Sequence, residues 1–125
     1  MAQEDLDFWV HLGDYIYETT GDPKFQNTSG RTITFTEQDN AIPRGDPMNP
    51  YYAAKTLSNY REIYRTIRKD KNLQKVHMSF PMIATWDDHE FSDDCHGATA
   101  TYFDGKKDET DVDRRKAGSS GSSRA

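Results

Sequence analysis

Two short apolar segments, each running straight into a cluster of ionisable residues, constrain this chain more than any other feature. Leu6 to Leu12 (LDFWVHL), rich in aromatic and branched side chains, meets Gly13-Asp14-Tyr15-Ile16-Tyr17. Met82 to Trp86 (MIATW) meets Asp87-Asp88-His89-Glu90. Both segments read as buried strands ending in a turn. A carboxylate directly after such a strand lies at the carboxyl edge of a sheet, where open α/β sheets bind ligands. Burying several of them is costly unless a cation or hydrogen bonds satisfy them.

The sequence between the two segments predicts an α/β fold. From Ala53 to Lys69, Leu57, Tyr60, Tyr64 and Ile67 recur at helical spacing and share one face, which turns Tyr60 and Tyr64 to the core. A second helix, N-capped by Asp70, sets Leu73, Val76, His77 and Phe80 on one side and stops at Pro81. Thr19 to Pro50 reads as a long polar insertion, either a functional lid or a disordered segment. Within it, Ile33 and Phe35 alternate with threonines and predict a short exposed strand over Arg31 to Glu37. One domain is expected over residues 1–117. Gly118 to Ala125 (GSSGSSRA) has linker composition and is expected to be a flexible tail.

Composition narrows the function. Hydrophobic residues make up 34% and charged residues 30% of 125 positions, and the net charge is −5. A nucleic-acid or anionic-membrane surface needs clustered Lys and Arg, so neither partner is expected. No apolar run is long enough to span a bilayer. Cys95, the lone cysteine, is expected to be a free thiol. The first residues lack the basic and apolar regions of a secretory signal.

The first polar cluster offers Asp14 and, one helical turn on, Tyr17. Together a carboxylate and a phenolate are hard oxygen ligands suited to a strongly Lewis-acidic cation such as Fe3+. An N-capping aspartate followed by two core tyrosines is the alternative. The second cluster offers carboxylates and His89, which could donate to a phosphoryl oxygen or protonate a leaving group; a solvated acidic turn with a capping histidine is its alternative. His11 and His77 are expected to pack, His96 to lie in a solvated loop, and Arg61 to stack or pair locally.

Gly13-Asp14-x-x-Tyr17 followed by Asp88-His89-Glu90 resembles the calcineurin-like metallophosphoesterases, in particular the purple acid phosphatases. His11 to Glu18 (HLGDYIYE), Leu57 to Arg61 (LSNYR) and Trp86 to Glu90 (WDDHE) resemble most the alkaline phosphatase D type. The resemblance covers roughly Leu6 to His96. It implies a fragment of a metallophosphoesterase αββα sandwich, comprising two strands, connecting helices and the insertion. It also implies metal ligation by Asp14, as bridging carboxylate, by Tyr17, as phenolate on the ferric ion, and by Asp88. His89 is then the proton donor or transition-state stabiliser.

The activity implied is hydrolysis of phosphate monoesters or diesters with Fe3+ and Ca2+, in a protein that is typically exported. Two cations of this kind lower the pKa of water for in-line attack at phosphorus. Departures from the pattern are the upstream motif with a cysteine ligand and the downstream histidine motifs, neither of which this chain carries; Cys95 does not match that cysteine. The rival expectation is a truncated, non-catalytic chain that binds a cation or a partner.

Overall fold

A computed structural model describes residues 3–26, 33–100 and 109–122. In chain order its elements are β1 (Trp9–His11), β2 (Thr19–Thr20), β3 (Ile42–Asp46), β4 (Asn49–Ala53), α1 (Leu57–Arg68), α2 (Lys71–Ser79), β5 (Met82–Ala84), β6 (Thr99–Ala100), β7 (Glu109–Thr110) and α3 (Val112–Gly121). Single 3-10 turns occupy Gln38–Asn40 and Asp88–Glu90. The protein is a mixed α/β structure, as expected.

The strands from the two apolar segments pair with each other. β1 and β5 run parallel, with Trp9 opposite Met82 and His11 opposite Ala84. Parallel neighbours need a crossover connection, and α1 and α2 lie within it. Because the strands are parallel, the turns that follow them emerge at the same end.

The expectation that both strands are buried is corrected. Trp9 and His11 are half-buried, with the Trp9 ring edge-on to His77 of α2 at 5.4 Å. Val10 and Ile83, paired with each other, are 50% and 56% exposed. They mark an uncovered face of a sheet in which, among the described residues, each strand has the other as its sole neighbour.

Helix α1 begins at a reciprocal cap. The Thr56 hydroxyl accepts from Asn59 N, and the Asn59 side chain accepts from Thr56 N. Its inward face carries Tyr60, Ile63 and Tyr64, which pack with Ile16, Phe35, Ala54, Phe91 and Ala100. Asp70 caps α2 by accepting from Asn72 N and Leu73 N, both at 2.9 Å.

Part of the insertion is ordered sheet, which goes against the second of the two expectations for it, a disordered segment. β2, β4 and β3 form an antiparallel sheet in that spatial order. Asp46 Oδ1 closes the β3–β4 turn by accepting from Met48 N and Asn49 N. The strand expected over Arg31 to Glu37 is absent from its described part, residues 33–37, and Phe35 is buried in the core. Residues 31 and 32 lie outside the described residues.

The tail expectation is also corrected over its first turn. Gly118–Gly121 complete α3, which packs on α1. A Cβ on Gly121 would meet Tyr60 Cβ at 2.8 Å, and one on Gly118 would meet the Glu90 carbonyl oxygen at 3.1 Å. The glycines that suggest a linker are what lets the two helices approach. Residues 123–125 lie outside the described residues.

Candidate functional site

Where β1 ends, the backbone turns sharply. Gly13 has φ +107°, and Asp14 follows at φ +55°, in the left-handed region. A side chain at Gly13 would drive its Cβ to 2.5 Å from Asp87 Cβ. Only glycine lets the turn after β1 lie against the turn after β5. A left-handed aspartate costs conformational energy and persists when its surroundings hold it.

What holds it is Glu90, which is 3% exposed. Its Oε2 accepts from Asp14 N at 3.1 Å and Asp87 N at 2.7 Å. Its Oε1 accepts from Tyr15 N at 2.6 Å and Ile16 N at 3.4 Å. One buried carboxylate thus binds four backbone N–H groups from both turns.

The two turns bring Asp14, Asp88 and His89 together, with one potential ligand atom of each lying within 4.8 Å of the others. Tyr17 OH donates to Asp14 Oδ2 at 3.4 Å. Tyr15 faces elsewhere, stacked on Tyr64 and hydrogen-bonded to His77 Nε2 at 3.0 Å. A second acidic group, Asp88, Asp93 and Asp94, adjoins the first through Asp88, whose Oδ2 accepts from Asp94 N.

The electrostatics of this cluster ask for positive charge. Burial pushes the Asp14 pKa above its usual 3.8; His89 opposes the rise, and Asp88, Asp87 and Glu90 reinforce it. Burial also raises the Tyr17 phenol, with the Asp14 charge and hydrogen bond adding to it. Asp14 Oδ1 is buried without a hydrogen-bond partner among the described residues, although buried oxygens are normally paired. An orphaned carboxylate oxygen among further carboxylates and a phenol fits a hard cation.

His89 is buried and held on several sides. Its Nδ1 lies 2.8 Å from Glu18 Oε2, and its Nε2 is 3.5 Å from Asp93 Oδ1. The Tyr17 ring lies at 4.3 Å and the Phe25 ring at 4.6 Å. Burial alone would lower the His89 pKa, but the Glu18 hydrogen bond and the charges of Glu18, Asp88 and Asp93 raise it above 6.5.

The family model described as PhoD-like phosphatase matches residues 1–121. The chain belongs to the PhoD-like phosphatase family. It is similar to alkaline phosphatase D of Bacillus subtilis (strain 168), at 37% identity over 90 residues, covering 72% of this chain. It spans 13% of the length of that relative. Among solved structures it matches one titled "Structure of PhoD" with a TM-score of 0.52 and 36% identity, over 72% of this chain and 14% of the other. The α/β architecture is therefore that of a piece of a PhoD-like protein.

Of the other residues weighed from sequence, His11 packs edge-on to Trp9 and Tyr15. His96 is exposed, and Cys95 is a half-buried free thiol with Sγ 3.7 Å from the Asp88 carbonyl oxygen. An apolar recess of about 540 Å3 lined by Arg68, Gln74, His77, Met78 and Met82 contains none of the clustered residues. Sequence reasoning missed Glu18, Phe25 and the clamp at Glu90. A usable signal existed for Glu90, since Asp87-x-x-Glu90 is a capping-box pattern.

Proposed function

We propose that this chain carries part of the cation-binding and proton-transferring machinery of a phosphate-ester hydrolase. The reading is supported above all by the convergence of Asp14, Asp88 and His89 from two distant segments onto one point. Family membership adds the reaction class. In this reading Asp14 and Asp88 hold cations, and Tyr17 supplies the phenolate that a ferric ion favours, with calcium as the other cation. Cations held there would supply Lewis acidity, lowering the pKa of water and neutralising phosphoryl oxygens.

The remaining chemistry belongs to the side chains. His89, its charged form favoured by Glu18, Asp88 and Asp93, gives a proton to the departing ester oxygen. Phe25 and Tyr17 keep its ring from turning. Substrates are phosphate monoesters or diesters, and the ordered part of the insertion shapes access to them.

A second reading, a non-catalytic chain that binds a cation, draws support from the donor count. Each group of candidate ligands among the described residues has three members, whereas a hard cation takes about six donors. One experiment separates the two. The matched 90-residue segment of the Bacillus enzyme is replaced by the corresponding residues of this chain, and hydrolysis of an aromatic phosphate ester is measured. Turnover that Asp14→Asn or His89→Gln abolishes supports the hydrolase reading; a folded, cation-loaded chimera without turnover supports the second.

A further inference from the structure

We propose that Glu18 is a positioning residue for His89: its carboxylate keeps a proton on Nδ1 and leaves Nε2 as the nitrogen that exchanges a proton with substrate. The inference rests on the reading of His89 as proton donor and adds the group that aims it.

Glu18 is fully buried, directly after Tyr17 in the same turn. A buried carboxylate is retained at a cost unless its oxygens are satisfied, and both are. Oε2 meets His89 Nδ1 at 2.8 Å, and Oε1 accepts from Asp93 N at 2.9 Å. A carboxylate can only accept, so Nδ1 must carry the hydrogen in that contact. Turning the ring over would set a carbon against Oε2 and strand a buried charged oxygen. Tyr17 and Phe25 pack on the ring and resist that turn.

Nε2, which meets Asp93 Oδ1 only at 3.5 Å, is therefore the nitrogen available for chemistry. During ester cleavage a proton leaves Nε2 for the departing oxygen, whose bond to phosphorus breaks, while the Nδ1 hydrogen stays on the Glu18 contact. Hydrogen bonds to one imidazole nitrogen set the role of the other.

Histidine nitrogen shifts in the full 125-residue chain, labelled with 15N and held in mildly alkaline buffer, test this directly. His89→Asn assigns the signals. The wild type is expected to show Nδ1 with the shift of a protonated nitrogen, Nε2 with that of a bare one, and a low-field Nδ1 proton. Glu18→Gln, which keeps one accepting oxygen, is expected to retain that tautomer with the Nδ1 proton moved upfield. Glu18→Ala is expected to lose the low-field signal and shift His89 towards the Nε2-protonated form. Backbone amide spectra establish that each variant is folded, and if Glu18→Ala is not, Glu18→Gln alone decides. A wild-type His89 protonated on Nε2, or His89 signals unmoved in a folded Glu18→Gln chain, would overturn the proposal. A silent chimera with these shifts as expected would instead count against the hydrolase reading, so the two failures are separable.

Discussion

Glu90 Oε2 accepts the backbone N–H of Asp14 at 3.1 Å across 76 positions of sequence, so a side chain in one turn dictates the backbone of the other. Glu90→Gln keeps one accepting oxygen and puts an NH2 group against two N–H donors. Each buried donor left unpaired costs about 1–3 kcal/mol, and a loss of at least about 2 kcal/mol is expected. Urea unfolding of the two chains measures it; a change within about 0.5 kcal/mol would show that the clamp contributes little.

The two tyrosines of the first turn should behave oppositely. Tyr17→Phe is expected to weaken Fe3+ binding about tenfold or more and to remove the visible phenolate-to-iron absorption, because Tyr17 faces Asp14. Tyr15→Phe should leave that absorption unchanged, because its hydroxyl is engaged with His77. Titration with iron followed by absorption reads both, and full colour in the Tyr17 variant would remove it from the ligand set.

Acid should weaken the packing of α2 through His77. Burial lowers its pKa below 6.5, with the charges of Arg68 and His11 acting in the same direction. The unfolded chain then binds the proton more readily than the folded one, so this contribution is intact above pH 6.5 and is lost as pH falls through the folded value. His89, with its raised pKa, acts in the opposite sense. Melting temperature followed from neutral to mildly acidic pH should therefore fall less steeply in His77→Gln than in the wild type. Identical slopes would exclude the effect.

Gly121→Ala sets two effects against each other. Alanine favours a helix interior over glycine by about 1 kcal/mol, a gain that is smaller at Gly121, the last residue of α3. At this position its methyl would meet Tyr60 Cβ at 2.8 Å, and overpacking costs about 1–3 kcal/mol. Net destabilisation is expected, with a smaller effect for Gly118→Ala, whose nearest contact is 3.1 Å. Unfolding midpoints of the two variants decide the order.

Much of the cluster was legible from sequence because it obeys a simple rule: strands that pair in parallel deliver their following turns to one end. Asp14 and Asp88 meet for that reason. Helices α1 and α2 were legible from apolar spacing and from the cap at Asp70. The misses have physical causes. Phe35 sits among threonines, and only its partners across the core turn a loop residue inward. Gly118 and Gly121 advertise a linker until Tyr60 of another helix is set beside them. Glu18 and Glu90 look like ordinary surface charges, and their burial depends on N–H groups supplied from more than 70 positions away. Val10 and Ile83 were expected inside because apolar strands usually are, yet burial needs a neighbour on each face.

The parallel pairing of β1 with β5 also sets the order in which the molecule comes together. Trp9 cannot meet Met82 until both helices between them have been gathered in, and closing so long a segment is entropically costly. Contacts of this range form slowly compared with a helix or the β3–β4 hairpin. Asp14 and Asp88 are held together by that closure, so the cluster comes into existence late in folding. Until that closure the helices and the β3–β4 hairpin can form from local contacts, but there is nowhere yet for a cation to sit.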